Sequence, residues 1–313
     1  MPFKLIVQLS VRNLFRYPRR NGLLLVAIAF ALAGATLTNS LMRGWQYDML
    51  DRAVENLVGH VKVQTSEYRD DPNMAHSFAL PANYEPKISG VEVAGWAPRI
   101  KVPAVILSER QSRGVQLVGI DPARENISFF SELAFAGETL ADIDDGRIVI
   151  GAELARQLQT AVGRKLVVLS QGADGKNRER GFRIAGTFDA DGTSLEKAFA
   201  FTGLAATQAF LGDRSSDSTP PLVTEVSVLL ADELRRNDAA AELRAAFPDK
   251  YVADWRALQP QAAEMLAFAD VAIYIIFLLM MGGLAFGLVN TLIAAVMERV
   301  RELGMLRAIG MPR

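Results

Sequence analysis

Two long apolar runs interrupt an otherwise mixed pattern of apolar and polar residues. The first run, Asn21 to Met42, has 22 residues without a charge, and the second, Val271 to Met297, has 27. A helix needs about 20 mostly apolar residues to cross a bilayer. Nothing else in the chain has a charge-free run of this length. The pattern therefore predicts two transmembrane helices, at 21–42 and 271–297.

Each run also has a second interpretation. A buried core helix could give the second run, although a core helix seldom stays charge-free for so long. A cleavable signal peptide could give the first run, because its N-terminal flank is basic. That run is longer than the usual apolar stretch of about 7–15 residues and lacks a clear cleavage site. The pattern at 43–57 predicts a helix that continues out of the membrane.

The segment between the two runs, 43–270, mixes strand-like and helix-like patterns. Turn sequences such as Asp144-Asp145-Gly146 separate these elements. The mixture predicts one α+β domain. Two polar or proline-bearing stretches, 68–86 and 212–221, indicate surface loops or a subdomain boundary. The predicted strands are 60–64, 102–107, 115–120, 147–150, 166–170, 182–188 and 223–230, and the predicted helices are 152–159, 204–211 and 232–247.

A helical pattern also follows the domain. Pro260 can open a helix that runs through the second apolar run towards Ile309. At 1.5 Å per residue, about 50 residues would form a rod of about 75 Å, far longer than the bilayer core of about 30 Å. Such a rod would connect cytoplasmic motion to the domain. The alternative is two helices with a break at the membrane surface.

The distribution of charge indicates the orientation in the membrane. Residues 1–20 hold five bases and no acid, and 298–313 hold four bases and two acids, whereas 43–270 has a net charge of −8. Lys and Arg near the ends of spans favour the cytoplasmic side. We therefore expect both ends of the chain in the cytoplasm and 43–270 outside, which is the periplasm in a diderm bacterium.

Composition and motifs argue against several kinds of function. The net charge of −1 gives no support for a nucleic-acid partner, and the absence of cysteine excludes disulfides. Neither a P-loop nor a nucleophile elbow is present, and His60 and His76 lack the spacing and partners of a metal site. We expect no catalytic residue, no metal and no cofactor in this chain, so its energy must come from a partner.

The segment after the second run, 298–313, predicts a helix with an unusual surface. Glu298 and Glu302 are four residues apart, where like charges repel, and Gly304 costs a helix about 1 kcal/mol. A helix so poorly optimised for its own stability indicates a docking surface. The other interpretation is an ordinary solvated helix whose arginines only set the topology.

The second apolar run carries small and polar residues at helical spacing. Gly283, Gly287 and Thr291 form a stripe that permits close contact between helices in lipid, although glycine is common in spans generally. Asn290 is the one amide in this run. We expect it to hydrogen-bond with another helix, and contact with a substrate is the second interpretation.

Several of these motifs resemble a family of ABC-transporter permeases. The stretch 12–20 is similar to the elbow before the first span of FtsX-like and MacB-like permeases, and 59–64 and 147–155 resemble steps of their outer domain. Elements at 68–72 and 119–122 resemble the LolC/LolE lipoprotein-releasing branch. The signature after their second span is similar to Glu298-Arg299-x-x-Glu302-x-Gly304-x-x-Arg307-Ala308-x-Gly310.

The resemblance implies both a fold and a mechanism. The fold would be a multi-pass inner-membrane protein whose α-helical spans carry an α+β extracytoplasmic domain of the MacB-like periplasmic core type. Permease subunits of this family pair as homo- or heterodimers and recruit ABC ATPase subunits, which bind the ATP. Members continue into a third and a fourth span, so we expect this chain either to be a fragment or to assemble differently. The residues implied in ATPase coupling are Glu298, Arg299, Glu302, Gly304, Arg307 and Gly310.

These observations together predict an ABC permease subunit of the lipoprotein-release or mechanotransmission type. Its expected partners are an ATPase subunit, a second permease subunit, membrane lipid and a lipoprotein or another cargo. The alternative is a membrane-anchored periplasmic sensor or adaptor without an ATPase, and the permease-like helix at the cytoplasmic end favours the first prediction. The predicted segments are an elbow helix at 1–20, spans at 21–42 and 271–297, the periplasmic domain with its stalk helices at 43–270, and a coupling helix at 298–313.

Overall fold

The computed structural model describes residues 18–55, 57–81, 84–212 and 221–309. It divides into two units. The helical unit comprises the described parts of Met1–Leu50 and Ala263–Arg313, and the α+β domain comprises those of Asp51–Ala262. Residues 1–17 of the predicted elbow helix lie outside the described residues.

The elements of the two units follow one another with short connections. The helices are α1 (Pro18–Glu55), α2 (Ser66–Asp70), α3 (Ala152–Gln157), α4 (Leu195–Ala198), α5 (Leu204–Leu211), α6 (Arg236–Ala246), α7 (Trp255–Leu258) and α8 (Pro260–Ala308). The strands are β1 (Val61–Gln64), β2 (Phe78–Ala79), β3 (Val93–Leu107), β4 (Ser112–Ile120), β5 (Ala134–Gly137), β6 (Ile148–Gly151), β7 (Lys165–Gln171), β8 (Asn177–Asp189), β9 (Phe199–Gly203), β10 (Leu222–Val223), β11 (Glu225–Leu230) and β12 (Tyr251–Asp254). Short 3-10 turns lie at Met74–His76, Phe129–Glu132 and Glu233–Arg235.

Two long helices, α1 and α8, dominate the helical unit. α8 is one helix of 49 residues that begins at Pro260, as predicted, because a proline in the first turn loses no helical hydrogen bond. Among the described residues, Pro260–Asn290 is the one stretch with the length and mean hydropathy, 2.4, of a membrane-crossing helix. α1 has 38 residues and contains the first apolar run.

One large sheet organises the α+β domain. Within the described residues it has ten strands in the order β12-β1-β11-β3-β4-β9-β6-β8-β5, and β7 pairs with both β3 and β8. These last two pairings close β3, β4, β9, β6, β8 and β7 into a ring. The sheet therefore has an open part, β12-β1-β11, and a closed part, the ring, and β5 pairs with β8 outside the ring. The short strands β2 and β10 pair separately.

Strand β3 joins the open and the closed parts because its 15 residues pair with different partners along its length. Its first half, up to Arg99, pairs with β11, and its second half pairs with β4 and β7. Alternate residues of a strand point to opposite faces. Ile100, Val102, Ala104 and Ile106 are accordingly buried in the main core.

Two groups of buried apolar side chains fill the domain. The larger group includes Val61 and Val228 of the open part together with Leu243 of α6. The smaller group is rich in aromatic rings, and Phe130 and Phe201 pack with their ring centroids 4.7 Å apart. Aromatic pairs at this separation add stability beyond the area that they bury.

The structure confirms the predicted α+β domain and corrects some of its details. The loop predicted at 68–86 contains the end of α2, a 3-10 turn and β2. The surface-loop prediction was wrong at Tyr68, because the neighbouring polar residues and prolines indicated exposure, whereas Tyr68 is buried and donates to the Lys101 carbonyl. Most of the loop predicted at 212–221 lies outside the described residues. β3 begins at Val93 instead of 102, and β5, β9 and β12 had not been predicted. The helix predicted at 232–247 is a 3-10 turn followed by α6.

Candidate functional site

The surface predicted to meet an ATPase lies on the last turns of α8. Gly304 and Arg307 are both helical and exposed. A Cβ built on Gly304 meets no heavy atom within 4 Å. Val300 and Met305 expose 57% and 66% of their surface. This part of α8 therefore offers apolar side chains and Arg307 to its surroundings.

The other predicted coupling residues are only partly described. Glu298, Arg299 and Glu302 lie within α8, but their side chains are outside the described ones, and Gly310 lies outside the described residues. Their placement on one helix follows from the backbone. A common role of their side chains in ATPase coupling is a matter of the proposed function.

The predicted packing residues lie further towards the start of α8. A Cβ built on Gly283 or Gly287 meets no heavy atom within 4 Å, and Asn290 is exposed. Thr291 is helical, but its side chain is outside the described ones. Among the described atoms, therefore, none of α1 lies close to the position of a Cβ at Gly283.

α1 and α8 approach each other through a different set of residues, which the sequence had not suggested. The amide of Gln46 donates to the Asp270 carboxylate at 3.0 Å. Both residues lie just beyond the apolar runs, and a polar residue at the end of each of two spans is the sequence signal for such a pair. The two helices also line a small crevice, formed by Ala35, Thr38, Asn39, Met42, Ile273, Ile276, Phe277 and Met280.

The chain enters and leaves the α+β domain through neighbouring strands. β1 follows α1, β12 precedes α7 and α8, and the two strands pair with Val61 opposite Asp254. The His60 carbonyl accepts from the Trp255 backbone N–H at 3.1 Å. The buried Trp255 indole donates to Glu233 at 3.2 Å. Both connections are thus fixed at the same end of the sheet.

A group of buried charges lies beside this entry point. Arg99 is fully buried, and its guanidinium binds the Glu125 carboxylate through Nε and Nη2 at 2.6–3.1 Å. Its Nη1 donates to the Leu57 carbonyl at 2.8 Å and to Ser227 Oγ at 2.9 Å. We call Lys62, Arg99, Glu125 and Glu225 the charge cluster.

The second half of the charge cluster joins β1 to β11. Lys62 Nζ donates to Glu225 Oε2 at 2.9 Å, and both side chains are almost fully buried. They point away from the main core, because Val61 and Val63 on β1 occupy the alternate positions that face it. The sequence did not reveal them, since a charge between two apolar residues usually marks a solvent-facing strand position.

Burial and charge act in opposite directions on the pKa values of Lys62 and Glu225. Burial is the larger influence on Lys62 and lowers its pKa from 10.5 to about 8, against the attraction of Glu225. Burial alone would raise the pKa of Glu225, but the charges of Lys62, Lys101 and Arg99 outweigh it and lower that pKa. Burial also raises the pKa of the nearby Tyr68 phenol. The buried carboxylate of Glu225 therefore stays ionised.

The two histidines have structural contacts. His60 Nδ1 accepts from the Leu230 backbone N–H at 3.0 Å, and His76 Nε2 lies 3.6 Å from the Asp71 carboxylate. Across the described residues, no group of three His, Asp or Glu side chains could hold a metal ion.

Comparison with known proteins adds the family to this geometry. Residues 22–246 match the description of the MacB-like periplasmic core domain. The chain belongs to this family. It is 21% identical to the lipoprotein-releasing system transmembrane protein LolE of Haemophilus influenzae, over 91% of this chain and 68% of that protein. It is 24% identical to the corresponding protein LolC of Neisseria meningitidis serogroup B, over 99% of this chain and 75% of that protein.

A solved structure is similar as well. The crystal structure of the periplasmic region of MacB from Actinobacillus actinomycetemcomitans shares 12% identity with this permease and gives a TM-score of 0.42, covering 64% of this chain and 90% of that one. The family match and the two relatives confirm the resemblance drawn from the motifs. The chain is an ABC-transporter permease of the MacB, LolC and LolE kind, with a MacB-like α+β domain.

Proposed function

We propose that this permease is a membrane subunit of a lipoprotein-releasing transporter that works by mechanotransmission. A separate ABC ATPase would bind and hydrolyse the ATP, and this chain would need no cofactor. The observation that carries the proposal is the pair of relatives, LolE and LolC, whose alignments cover 91% and 99% of this chain. Both are named transmembrane proteins of lipoprotein-releasing systems.

The exposed apolar surface of the helical unit supports an inner-membrane location. Phe30 of α1 and Phe286 of α8 expose 81% and 76% of their surface, and Leu278 exposes 70%. Soluble monomers rarely expose contiguous apolar surface on this scale. Spans at 21–42 and 271–297 would cover it with lipid, and the basic flanks would leave both ends cytoplasmic and the α+β domain periplasmic.

The ATPase would dock on the end of α8. Gly304 leaves room for close backbone approach, and Arg307 supplies a charge for a partner groove. A continuous α8 of 49 residues would carry the force of ATPase closure towards the domain. The full set that we assign to coupling is Glu298, Arg299, Glu302, Gly304, Arg307 and Gly310.

A second permease subunit would pack along the small-residue stripe of α8. A Cβ built on Gly283 or Gly287 meets no heavy atom within 4 Å, and small residues allow helices to approach closely in lipid. Asn290 and Thr291 would supply polar contacts on the same helix. The subunit could be a second copy of this chain or a related permease.

The proposal is tested by isolating the tagged permease from its native membranes in mild detergent. We expect a P-loop ATPase to co-purify, and we expect the complex in liposomes to release an acylated lipoprotein when ATP is added. If the complex contains an ATPase but moves another cargo, the proposal of lipoprotein release is wrong and the assignment as a transporter permease stays. If no ATPase co-purifies, the sensor or adaptor interpretation replaces the proposal.

A further inference from the structure

The charge cluster contains one buried oxygen that makes no hydrogen bond. Glu225 Oε1 is shielded from solvent and has no donor among the described residues. Arg99 Nη1 lies 3.7 Å from it, which is beyond hydrogen-bonding distance. Leaving a buried acceptor unpaired is unfavourable. A stronger contact is therefore within reach of a small movement but is not made.

Arg99 Nη1 is held away from Glu225 by the chain that follows α1. Its two hydrogen bonds go to the Leu57 carbonyl and to Ser227 Oγ, and Ser227 Oγ itself donates to the same carbonyl at 3.3 Å. Leu57 lies two residues after α1 ends at Glu55. Leu57 has a positive φ of 63°, a conformation that is strained for a leucine. Strained residues of this kind cluster at switch regions.

The rest of the charge cluster is arranged as a fixed frame around this nitrogen. Glu125 holds Nε and Nη2 of Arg99, and Lys62 holds the other oxygen of Glu225. For Arg99 to bind Glu225 Oε1, Nη1 has to leave the Leu57 carbonyl, which also loses its hydrogen bond from Ser227 Oγ when the segment moves. The exchange replaces one charge-assisted hydrogen bond with another and lets Leu57 leave the left-handed conformation.

We infer that Arg99 is the positioning residue of a two-state joint in segment 57–59, where the chain enters the α+β domain. In the state described here, which we call closed, Arg99 Nη1 donates a hydrogen bond to the Leu57 carbonyl. In the second state, which we call open, movement of α1 has drawn the Leu57 carbonyl away from Arg99. Nη1 then donates to Glu225 Oε1 instead. The joint rests on the proposed function, because it is the part of the domain that would receive the movement of α1.

Two conservative variants should shift this joint in opposite directions. Glu225→Gln removes the negative charge that competes with the Leu57 carbonyl for Nη1, so the closed state becomes more populated. Ser227→Ala removes a partner of Nη1 and a second donor to the Leu57 carbonyl, so the open state becomes more populated. If the charge cluster had a purely structural role, both variants would instead weaken it, and hydrogen exchange at 57–60 would become faster in both. The variant that separates the joint from a purely structural cluster is therefore Glu225→Gln.

The measurement is hydrogen exchange of the 57–60 backbone amides in the full-length permease in detergent. We expect exchange about three- to tenfold slower in Glu225→Gln and faster by a similar factor in Ser227→Ala, the effect of about one hydrogen bond. Ser170→Ala is the matched control, because Ser170 Oγ donates to the Pro103 carbonyl far from Leu57 along the sheet. It should leave exchange at 57–60 unchanged.

Shifts in the same direction, or none, would overturn the joint. The exchange measurement needs neither ATPase nor cargo, so it stands apart from the proposed function. With the ATPase complex in hand, ATP should accelerate exchange at 57–60 in the wild type and less in Glu225→Gln. If the two variants differ as expected but ATP has no effect, the joint stands and the mechanotransmission proposal fails.

Discussion

At the scale of single residues, the charge cluster makes the α+β domain sensitive to conservative changes. Two basic and two acidic side chains are buried together, and each compensates a neighbour whose charge would otherwise be unpaired. Removing one partner of a buried pair typically costs about 3–5 kcal/mol, because the other charge stays behind. Surface pairs contribute far less.

Glu125→Ala tests this difference. It leaves the Arg99 guanidinium buried without its main partner, so we expect the free energy of unfolding to fall by about 3–5 kcal/mol. Glu138→Ala is the control, because the Glu138 carboxylate pairs with Arg147 but is 76% exposed. Thermal unfolding of the full-length permease in detergent measures both. If both variants lost the same free energy of unfolding, the buried ion pair would contribute no more to stability than the exposed one.

The lowered pKa of Lys62 predicts a dependence of stability on pH. Between pH 8 and 10.5 the unfolded chain binds the Lys62 proton while the folded chain has released it. Stability therefore rises with pH across this window. We expect the wild type to gain about 1–2 kcal/mol relative to Lys62→Met between pH 7 and pH 9.5, measured as the difference between their unfolding curves. A constant difference would contradict the pKa shift.

At the scale of elements, α8 carries two contact surfaces at different positions along its length. The half-buried positions that line the crevice with α1 include Ile273, Ile276 and Met280, spaced by three and four residues as one helix face requires. Gly283 is open to another partner. The same helix could therefore hold α1 and a second permease subunit at once.

Gly283→Leu tests the second of these contacts. A leucine fills the space that a partner backbone would need, so we expect cross-linking between permease subunits in the membrane to fall several-fold. Gly282→Leu is the matched control on the neighbouring position, which also has no atom within 4 Å of a built Cβ. Loss of cross-linking in the control alone would place the contact on a different face of α8.

At the scale of the whole molecule, the sequence predicted features that depend on local pattern. All seven predicted strands coincide with or lie within observed strands to within about one or two residues, and the start of α8 was predicted at Pro260, because alternation and helix-start signals are local. The ring could not be predicted, since β7 pairs with β3 across about sixty residues of sequence. The charge cluster was missed because Arg99 and Glu125 meet only through the fold.

The topology is a prediction for the complete permease. Gly175 lies in the exposed turn between β7 and β8 with a positive φ of 74°, so a reporter inserted there should disturb the sheet little. Reporters at Gly175 and at the C-terminus should report opposite sides of the inner membrane, periplasm and cytoplasm. The same side for both would refute the two-span arrangement.

The central claim is that a partner ATPase drives this permease through the end of α8. The most direct measurement is ATP-dependent release of an acylated lipoprotein from liposomes that hold the permease–ATPase complex, with ATP turnover followed in parallel. We expect Gly304→Leu and Glu302→Lys each to abolish release, and each either to lose the ATPase or to leave its ATP turnover without response to the lipoprotein. Thermal unfolding should match the wild type. Normal binding of the ATPase and normal release in both variants would contradict the account.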